Sequence, residues 1–397
     1  MLTISGNYSL RVEVGSQGDD VTEDIVFDPN TFDTFTVTQY IDRLLPSFRI
    51  KFTDPMNILT QLMPSDRRIS NYRITFGRGT DLGQYNIFDM VTYRRFPTSE
   101  ENYEVEGLLA LPTVFSVEQR RGFSGNISDV IDTIRDELLL DSSEISSCLN
   151  HKTNIIQPDW TNMDLLYYLQ NNVVGQAGES CFFTFIKCLQ GEKILVFRSL
   201  PDLVSQDVRY RFYSGDQPLA GEDFIPIMKY SIVDNSRVLS TLGGKIQSYS
   251  YFNYKEGRLV EETEDISNYP KNLAQYFLIE KDDEGSSYAI RDLGRNNDFN
   301  LDFRGTVVGH YHRRLTNLNS MWITIWGEQN ICPGDLVEVY FPEYALQGRN
   351  IQSQYSGRWL VNRVVHSFGM SYFSKLLLTR NGIDTFVETT LLSGDIE

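Results

Sequence analysis

The run Ser356-Gly-Arg-Trp-Leu-Val-Asn-Arg-Val-Val-His-Ser-Phe-Gly-Met-Ser-Tyr-Phe-Ser-Lys-Leu-Leu-Leu-Thr-Arg-Asn-Gly-Ile-Asp384 decides the reading of this chain. Trp, Val, Tyr, Phe and Leu dominate its two arms, and Gly369-Met370-Ser371 supplies a turn between them, so it reads as a pair of β-strands. In the second arm Tyr372, Leu376 and Leu378 share one face, while Phe373, Lys375, Leu377 and Thr379 share the other. Upstream, Met321–Trp326 and Leu336–Phe341 form a second strand pair around Cys332-Pro333-Gly334-Asp335, a turn-forming run. A chain that closes in paired strands without a catalytic signature points to assembly rather than chemistry.

Composition narrows the classes. With 397 residues, 41% hydrophobic and 22% charged, the chain is an ordinary folded protein of two or three domains. Its 22 Tyr and 24 Phe favour strands and partner contacts. Apolar runs such as Gly107–Pro112 are far too short to span a bilayer, and Met1–Asn7 lacks the regions of a signal peptide. A soluble protein made in the cytoplasm, with no membrane partner, is expected. Cys148, Cys181, Cys188 and Cys332 match no common zinc spacing and read as free thiols. A net charge of −17 argues against sequence-specific nucleic-acid binding, because the pairs Arg67-Arg68, Arg94-Arg95, Arg120-Arg121 and Arg313-Arg314 are short and scattered.

Along the chain, residues 1–112 read as mostly β, with strands at Ser9–Val14, Ser47–Phe52, Tyr72–Phe76, Ile87–Tyr93 and Tyr103–Leu111. Two helices follow, within 123–140 and 161–174. The first has Ile127, Val130, Ile131, Ile134 and Leu138 at helical spacing behind an Asn126 cap. The second starts with a capping box of Thr161 and Asp164, with Trp160 as a staple on Leu165. Leu165, Leu166, Leu169 and Val173 form its stripe, and Gly175 is its expected terminal glycine. A hairpin, Cys181–Leu189 with Lys193–Arg198, turns at Gln190-Gly191-Glu192. Ile227–Val233 and Gly244–Tyr254 read as strands, the acidic Leu259–Gly285 as loop or short helix, Arg304–Asn319 as a third helix, and Thr385–Glu397 as a frayed tail. Asp89–Tyr93 with Tyr103–Leu111 echoes Asn362–His366 with Tyr372–Leu378, the pattern two similar β domains produce.

No motif specifies chemistry. His310-Tyr311-His312 has a spacing that metal sites use, but no third ligand lies close in sequence, so a surface pair is the better reading. Gly77–Gly83 has the wrong spacing for a dinucleotide loop, and nothing in the sequence brings His151 to Cys181 as a nucleophile pair. Among 53 Asp and Glu, carboxylate pairs can be drawn at will and carry no weight. No catalytic, cofactor-binding or metal-binding residue is assigned, no cofactor is expected, and the chain reads as a non-enzyme.

The order of features carries a resemblance: a β domain, Phe123–Asp129 opening a helix, the Trp-led helix Trp160–Leu166, and the aromatic pair Phe182–Phe185 with Val196-Phe197. Pro333–Val337 and Gly357–His366 complete it. The chain resembles the central baseplate hub proteins of contractile-tailed bacteriophages, relatives of the type VI secretion spike and of phage late-control tail proteins. The resemblance spans most of the chain in order but is poor over Leu203–Asn300. It implies an α+β, mainly β fold with two tube-like antiparallel β-barrel domains and an α/β portion inserted between them. The first barrel would occupy 1–112, the α/β portion 113–222, and the second barrel 223–254 with 304–384. Residues 255–303 would be an insertion grouped with the α/β portion, and 385–397 an acidic tail. The implied role is structural. Three copies make a ring of near-sixfold character that joins a sixfold tail tube protein to a threefold central spike protein, alongside other baseplate proteins. DNA would pass through its axial channel without specific binding. The place implied is the virion tail baseplate, assembled in the host bacterial cytoplasm. The competing reading is a receptor- or carbohydrate-binding tail-tip adhesin, against which the two capped helices count.

Overall fold

The computed structural model of the protein describes residues 3–5, 8–16, 32–53, 70–78, 86–97, 102–111, 117–148, 153–176, 181–215, 224–234, 246–253, 257–265, 288–291, 313, 319–344, 350–352 and 355–380. The first stretch supplies β1 (Thr3–Ser5), β2 (Tyr8–Ser16), β3 (Phe32–Tyr40), β4 (Ser47–Thr53), β5 (Ser70–Arg78), β6 (Asn86–Pro97) and β7 (Asn102–Leu109). A mixed segment follows, with β8 (Gln119–Gly125), α1 (Ile127–Glu137), β9 (Ser142–Ile145), β10 (Thr153–Trp160), α2 (Asn162–Asn172), β11 (Phe182–Leu189), β12 (Glu192–Ser199) and α3 (Leu200–Ser205). Next come β13 (Tyr210–Tyr213), β14 (Phe224–Pro226), β15 (Lys229–Asp234), β16 (Ile246–Asn253), β17 (Arg258–Asp265) and β18 (Tyr288–Arg291). The last stretch holds β19 (Asn319–Trp326), β20 (Leu336–Tyr340), β21 (Pro342–Tyr344), β22 (Asn350–Gln352), β23 (Gly357–Phe368) and β24 (Phe373–Arg380).

The C-terminal hairpin forms as read, and Tyr372, Leu376 and Leu378 are buried on one face. Its first strand does more than pair with its neighbour. On one edge, Leu336–Val339 of β20 pair with Gly357–Leu360, and then Phe35–Tyr40 of β3 pair with Arg363–Phe368. The change of partner falls at a bulge, where Asn362 lies between the pairs Val361↔Leu378 and Arg363↔Leu377. The Asn362 carbonyl accepts from Ile41 N–H at 2.9 Å, which satisfies the bulged residue. Through this strand the first and last stretches share one hydrogen-bonded sheet.

Within that sheet the two stretches repeat one strand order. In the first, β5-β6-β7-β4-β3 are neighbours, and every pair is antiparallel. In the second, β20-β23-β24-β19-β15 are neighbours, again all antiparallel. Both sets run through the chain in the same order. The bulge recurs too, with Tyr93 skipped between Thr92↔Gly107 and Arg94↔Glu106. Matching bulge to bulge aligns the row Arg95–Val105–Ile50–Phe35 with Val364–Leu376–Ile323–Tyr230. The sequence echo therefore chose the correct hairpins but offset them, because Tyr93 corresponds to Asn362 rather than to His366.

Several expectations shift. Phe123–Gly125 end β8, and α1 begins at Ile127, because Asn126 and Asp129 form a capping box just after Gly125 at φ +139°. The Thr161–Asp164 box caps α2 as read. Trp160, however, lies against Tyr168, with ring centroids 5.1 Å apart. Helix α2 ends because Val173 turns extended, and Gly175 bridges to Cys148 instead of capping it. Leu259–Asp265, expected to be loop or helix, lie in β17, paired with β16. With β18 these strands make a separate three-stranded sheet, so Ile246–Asn253 are not neighbours of β15 or β19. Strand β13, expected in the α/β portion, pairs with β20 in the large sheet. Of the expected helix Arg304–Asn319, only Arg313 and Asn319 lie within the described residues. The tail 385–397 lies outside them.

The mixed segment packs on both stretches. Its α1, α2 and inner β11–β12 side chains join the core of the first stretch, and Phe368 and Tyr372 enter the same core from the C-terminal hairpin. Phe183, Phe185, Leu200 and Leu203 form a second core with Ile41 and Leu360. Cys332–Asp335 is a turn with Pro333 then Gly334 at φ +85° and a bond from Asp335 N–H to Cys332 O, the backbone a Pro-Gly pair favours. A Cβ on Gly334 would stand 2.8 Å from Phe185 Cζ. Gly334→Ala is therefore expected to cost about 1–3 kcal/mol in denaturant unfolding, and an unchanged midpoint would contradict this packing. Trp359 is 1% exposed, donates to Tyr355 O at 3.0 Å and lies under Arg380. Trp359→Ala is expected to cost about 3–5 kcal/mol in the same assay, so an unaltered melting temperature would refute its place in the core.

Candidate assembly surfaces

Two kinds of place on this molecule bear on function: the joint where β3 meets β23, and the sheet edges left without a strand partner. At the joint, Phe76, His366, Phe368 and Tyr372 form an aromatic knot with Tyr8 and Phe35. The Tyr8 hydroxyl donates to Gly369 O at 2.6 Å, fixing the turn of the C-terminal hairpin to the first strand pair. Tyr372 lies flat on Gly327, where no side chain would fit, and Gly327 N–H donates to Tyr372 O at 2.9 Å.

His366 is fully buried in this knot, with Nδ1 2.8 Å from the Tyr372 hydroxyl. Its Nε2 has no hydrogen-bond partner among the described residues. Burial therefore pushes the imidazole down to about 3, well below the ordinary value of 6.5. The unfolded chain binds a proton near 6.5 that the folded chain refuses until about 3. Across that window stability falls with falling pH, by about 1.4 kcal/mol per unit for this group alone. Carboxylates titrate there as well, so a comparison is needed. His366→Gln is expected to lose less stability than the parent between pH 6.5 and pH 5. Parallel pH profiles of the two melting curves would refute the assignment.

Polar side chains hold the three parts together. Asn86, fully buried on β6, accepts from Gln190 N–H at 2.6 Å and donates to Gln329 O at 2.5 Å. It thus ties the tip of the β11–β12 hairpin to the loop after β19. Asp335 accepts from Cys332 N–H at 2.9 Å and from Arg209, and burial holds its carboxyl above the usual range despite that guanidinium. Arg313 donates to Gln170 O at 2.6 Å and to Phe182 O at 3.2 Å, and its burial lowers its basicity. None of these residues stood out in the sequence, because lone polar side chains between strands carry no pattern. They clamp together elements that lie far apart in the sequence.

The described residues bear on part of the chemical alternatives. Cys181 and Cys188 are buried thiols pushed up to about 12 by desolvation, so neither is a nucleophile at neutral pH. His151, His310, His312 and most of Gly77–Gly83 lie outside the described residues. Among the described residues no cluster of three His, Cys, Asp or Glu could hold a metal, and no helix is long and apolar enough to cross a membrane.

Strand β15 is one exposed edge of the large sheet among the described residues. It pairs with β19 on one side, and the run entering it switches partners, with Ile227 N–H donating to Tyr213 O and Met228 N–H to Thr324 O. Met228, Tyr230 and Val233 are each 40–48% exposed. Trp326, also exposed, lies on the neighbouring β19, and Leu139 and Met370 are exposed elsewhere. In the repeat, the counterpart of Tyr230 is Phe35, fully buried where β3 meets β23. An exposed edge carrying apolar side chains is a place for another chain.

No protein-family model matches this sequence, and no curated protein matches it. Solved structures do. A 43 kDa tail protein of prophage MuSo2 from Shewanella oneidensis superposes with a TM-score of 0.57 at 10% identity, over 94% of this chain and 99% of that one. A tail protein from Neisseria meningitidis MC58 gives 0.55 at 9% identity, over 94% and 97%. A chain of a lidless PdpA-VgrG complex gives 0.50 at 9% identity, over 95% of this chain and 65% of its own length. The fold is thus a mainly β fold shared with phage tail proteins, the class to which the sequence resemblance pointed. Two of these likenesses run nearly end to end in both chains.

Proposed function

We propose that this chain is the structural hub of a phage tail baseplate. Three copies close into a ring that meets a sixfold tail tube protein on one face and a threefold central spike protein on the other. Other baseplate proteins attach around it, and DNA passes through the axial channel without specific binding. In this reading the two repeated strand sets are the tube-like barrels, the segment β8–β12 with its helices is the α/β portion, and β16–β18 are an accessory sheet. The role is structural rather than enzymatic, and its place is the virion tail.

The observation that carries the reading is the repeated strand order within one chain. A ring of three chains with two like sheets each has six similar units, so it offers sixfold spacing to one partner and threefold chemistry to another. The end-to-end fold likeness to two tail proteins, one of them from a prophage, supports it. So does the charge of −17, which disfavours adhesion to a passing polyanion.

Light scattering of the purified chain, alone and with its tube and spike partners, tests the proposal. A mass of three copies and an annular outline in negative stain are expected. A chain that stays monomeric with those partners and binds glycans on an array would replace the hub by the adhesin.

A further inference from the structure

The repeat has a joint that is made once inside the chain and, among the described residues, left unmade at the equivalent place. In the second stretch, β23 extends past the end of β20, and its distal half pairs with β3. In the first stretch, β6 likewise extends past β5, whose pairing with it stops at Asn71↔Val91. Beyond Val91 the distal half of β6 pairs only with β7 among the described strands. The counterpart of β3 is β15, and its outer edge has no strand against it among the described residues. One chain therefore holds a filled joint, β3 on β23, and both separated halves of a second, β15 and distal β6.

We infer that β15 of one copy adds to the distal half of β6 in the next copy, reproducing between chains the β3–β23 joint found within each chain. This rests on the hub reading and names the surfaces that close its ring. The contact is heterologous, edge to opposite edge, so it propagates in one direction and closes when the rotation permits. Exposure of Tyr230 and Val233 marks the edge that awaits a partner, since Phe35 at the matching position is buried by the filled joint.

The register follows from the repeat. The bulge-aligned rows carry Val364↔Gln39, Val365↔Thr38 and His366↔Val37 over to Arg95↔Asp234, Phe96↔Val233 and Pro97↔Ile232. Pro97 has no N–H, so the ladder lacks one donor there. The bond from Ile41 to Asn362 makes Asn362–Ile41 a hydrogen-bonded pair. By alternation Val365–Thr38, and hence Phe96–Val233, is a non-hydrogen-bonded pair with Cα atoms about 4.5 Å apart. That separation lies within the span a disulfide bridges.

The test places Phe96→Cys and Val233→Cys on separately tagged full-length chains in a Cys148→Ser background, co-expressed with the partners needed for assembly and mildly oxidised. A disulfide-linked dimer carrying both tags is expected, with neither variant cross-linking by itself. With both substitutions in one chain, linked species up to the size of the closed ring are expected. Val233→Cys mixed with Met370→Cys is the control, and equal cross-linking there would overturn the proposal. An oligomer by light scattering without the Phe96–Val233 link would overturn this edge pairing and leave the ring intact. Loss of both oligomer and link removes the ring as well.

Discussion

The bulge at Asn362 is the constraint on which the rest depends. A strand of fixed direction cannot hold two partners on one edge at the same level, so β23 takes β20 first and β3 afterwards. The extra residue re-aims the strand between the two, and Ile41 satisfies the carbonyl it frees. Remove that hand-over and the two strand sets have no common ladder. The aromatic knot of Tyr8, Phe35, Phe76, Phe368 and Tyr372 then loses the backbone that brings its members together. The mixed segment would likewise lose the paired surfaces it bridges through Phe185 and Gln190.

This arrangement explains why polar residues sit so deep in a protein with large apolar cores. Asn86, Asp335 and Arg313 each join elements that are distant in sequence, where backbone groups at strand ends and turns need partners. Such contacts fix geometry more than they add stability. His366 belongs with them: packed among rings with one polar partner, it keeps the hairpin in register while it stays neutral.

What could be read from the sequence followed local physics. Ser356–Asp384 announced its hairpin by composition, Cys332–Asp335 its turn by the Pro-Gly pair, and both helices their starts by capping residues. Strand β17 went unread because Arg258–Asp265 is acidic and its Leu259 is exposed, so no apolar alternation marks it. The repeat was glimpsed in one hairpin pair and missed as a whole. Between β3 and β4 the chain makes a short link, whereas between β15 and β19 it inserts the whole stretch containing β16–β18. Equivalent strands thus stand at unequal spacings, and long-range pairing leaves no local signature. The exposed edge at β15 was also hidden, since Tyr230-Ser231-Ile232-Val233 reads like any strand until its neighbours are known.

The unequal insertions have a consequence of their own. In the proposed ring, six copies of a single-module chain would all have to bear the same decoration. Fusing two versions of one module in a single polypeptide lifts that restriction, because each can drift independently while the shared ladder keeps their backbones interchangeable. Alternate stations of the proposed ring can then carry different attachments, one plain and one with an added sheet, without any change in how neighbouring modules meet.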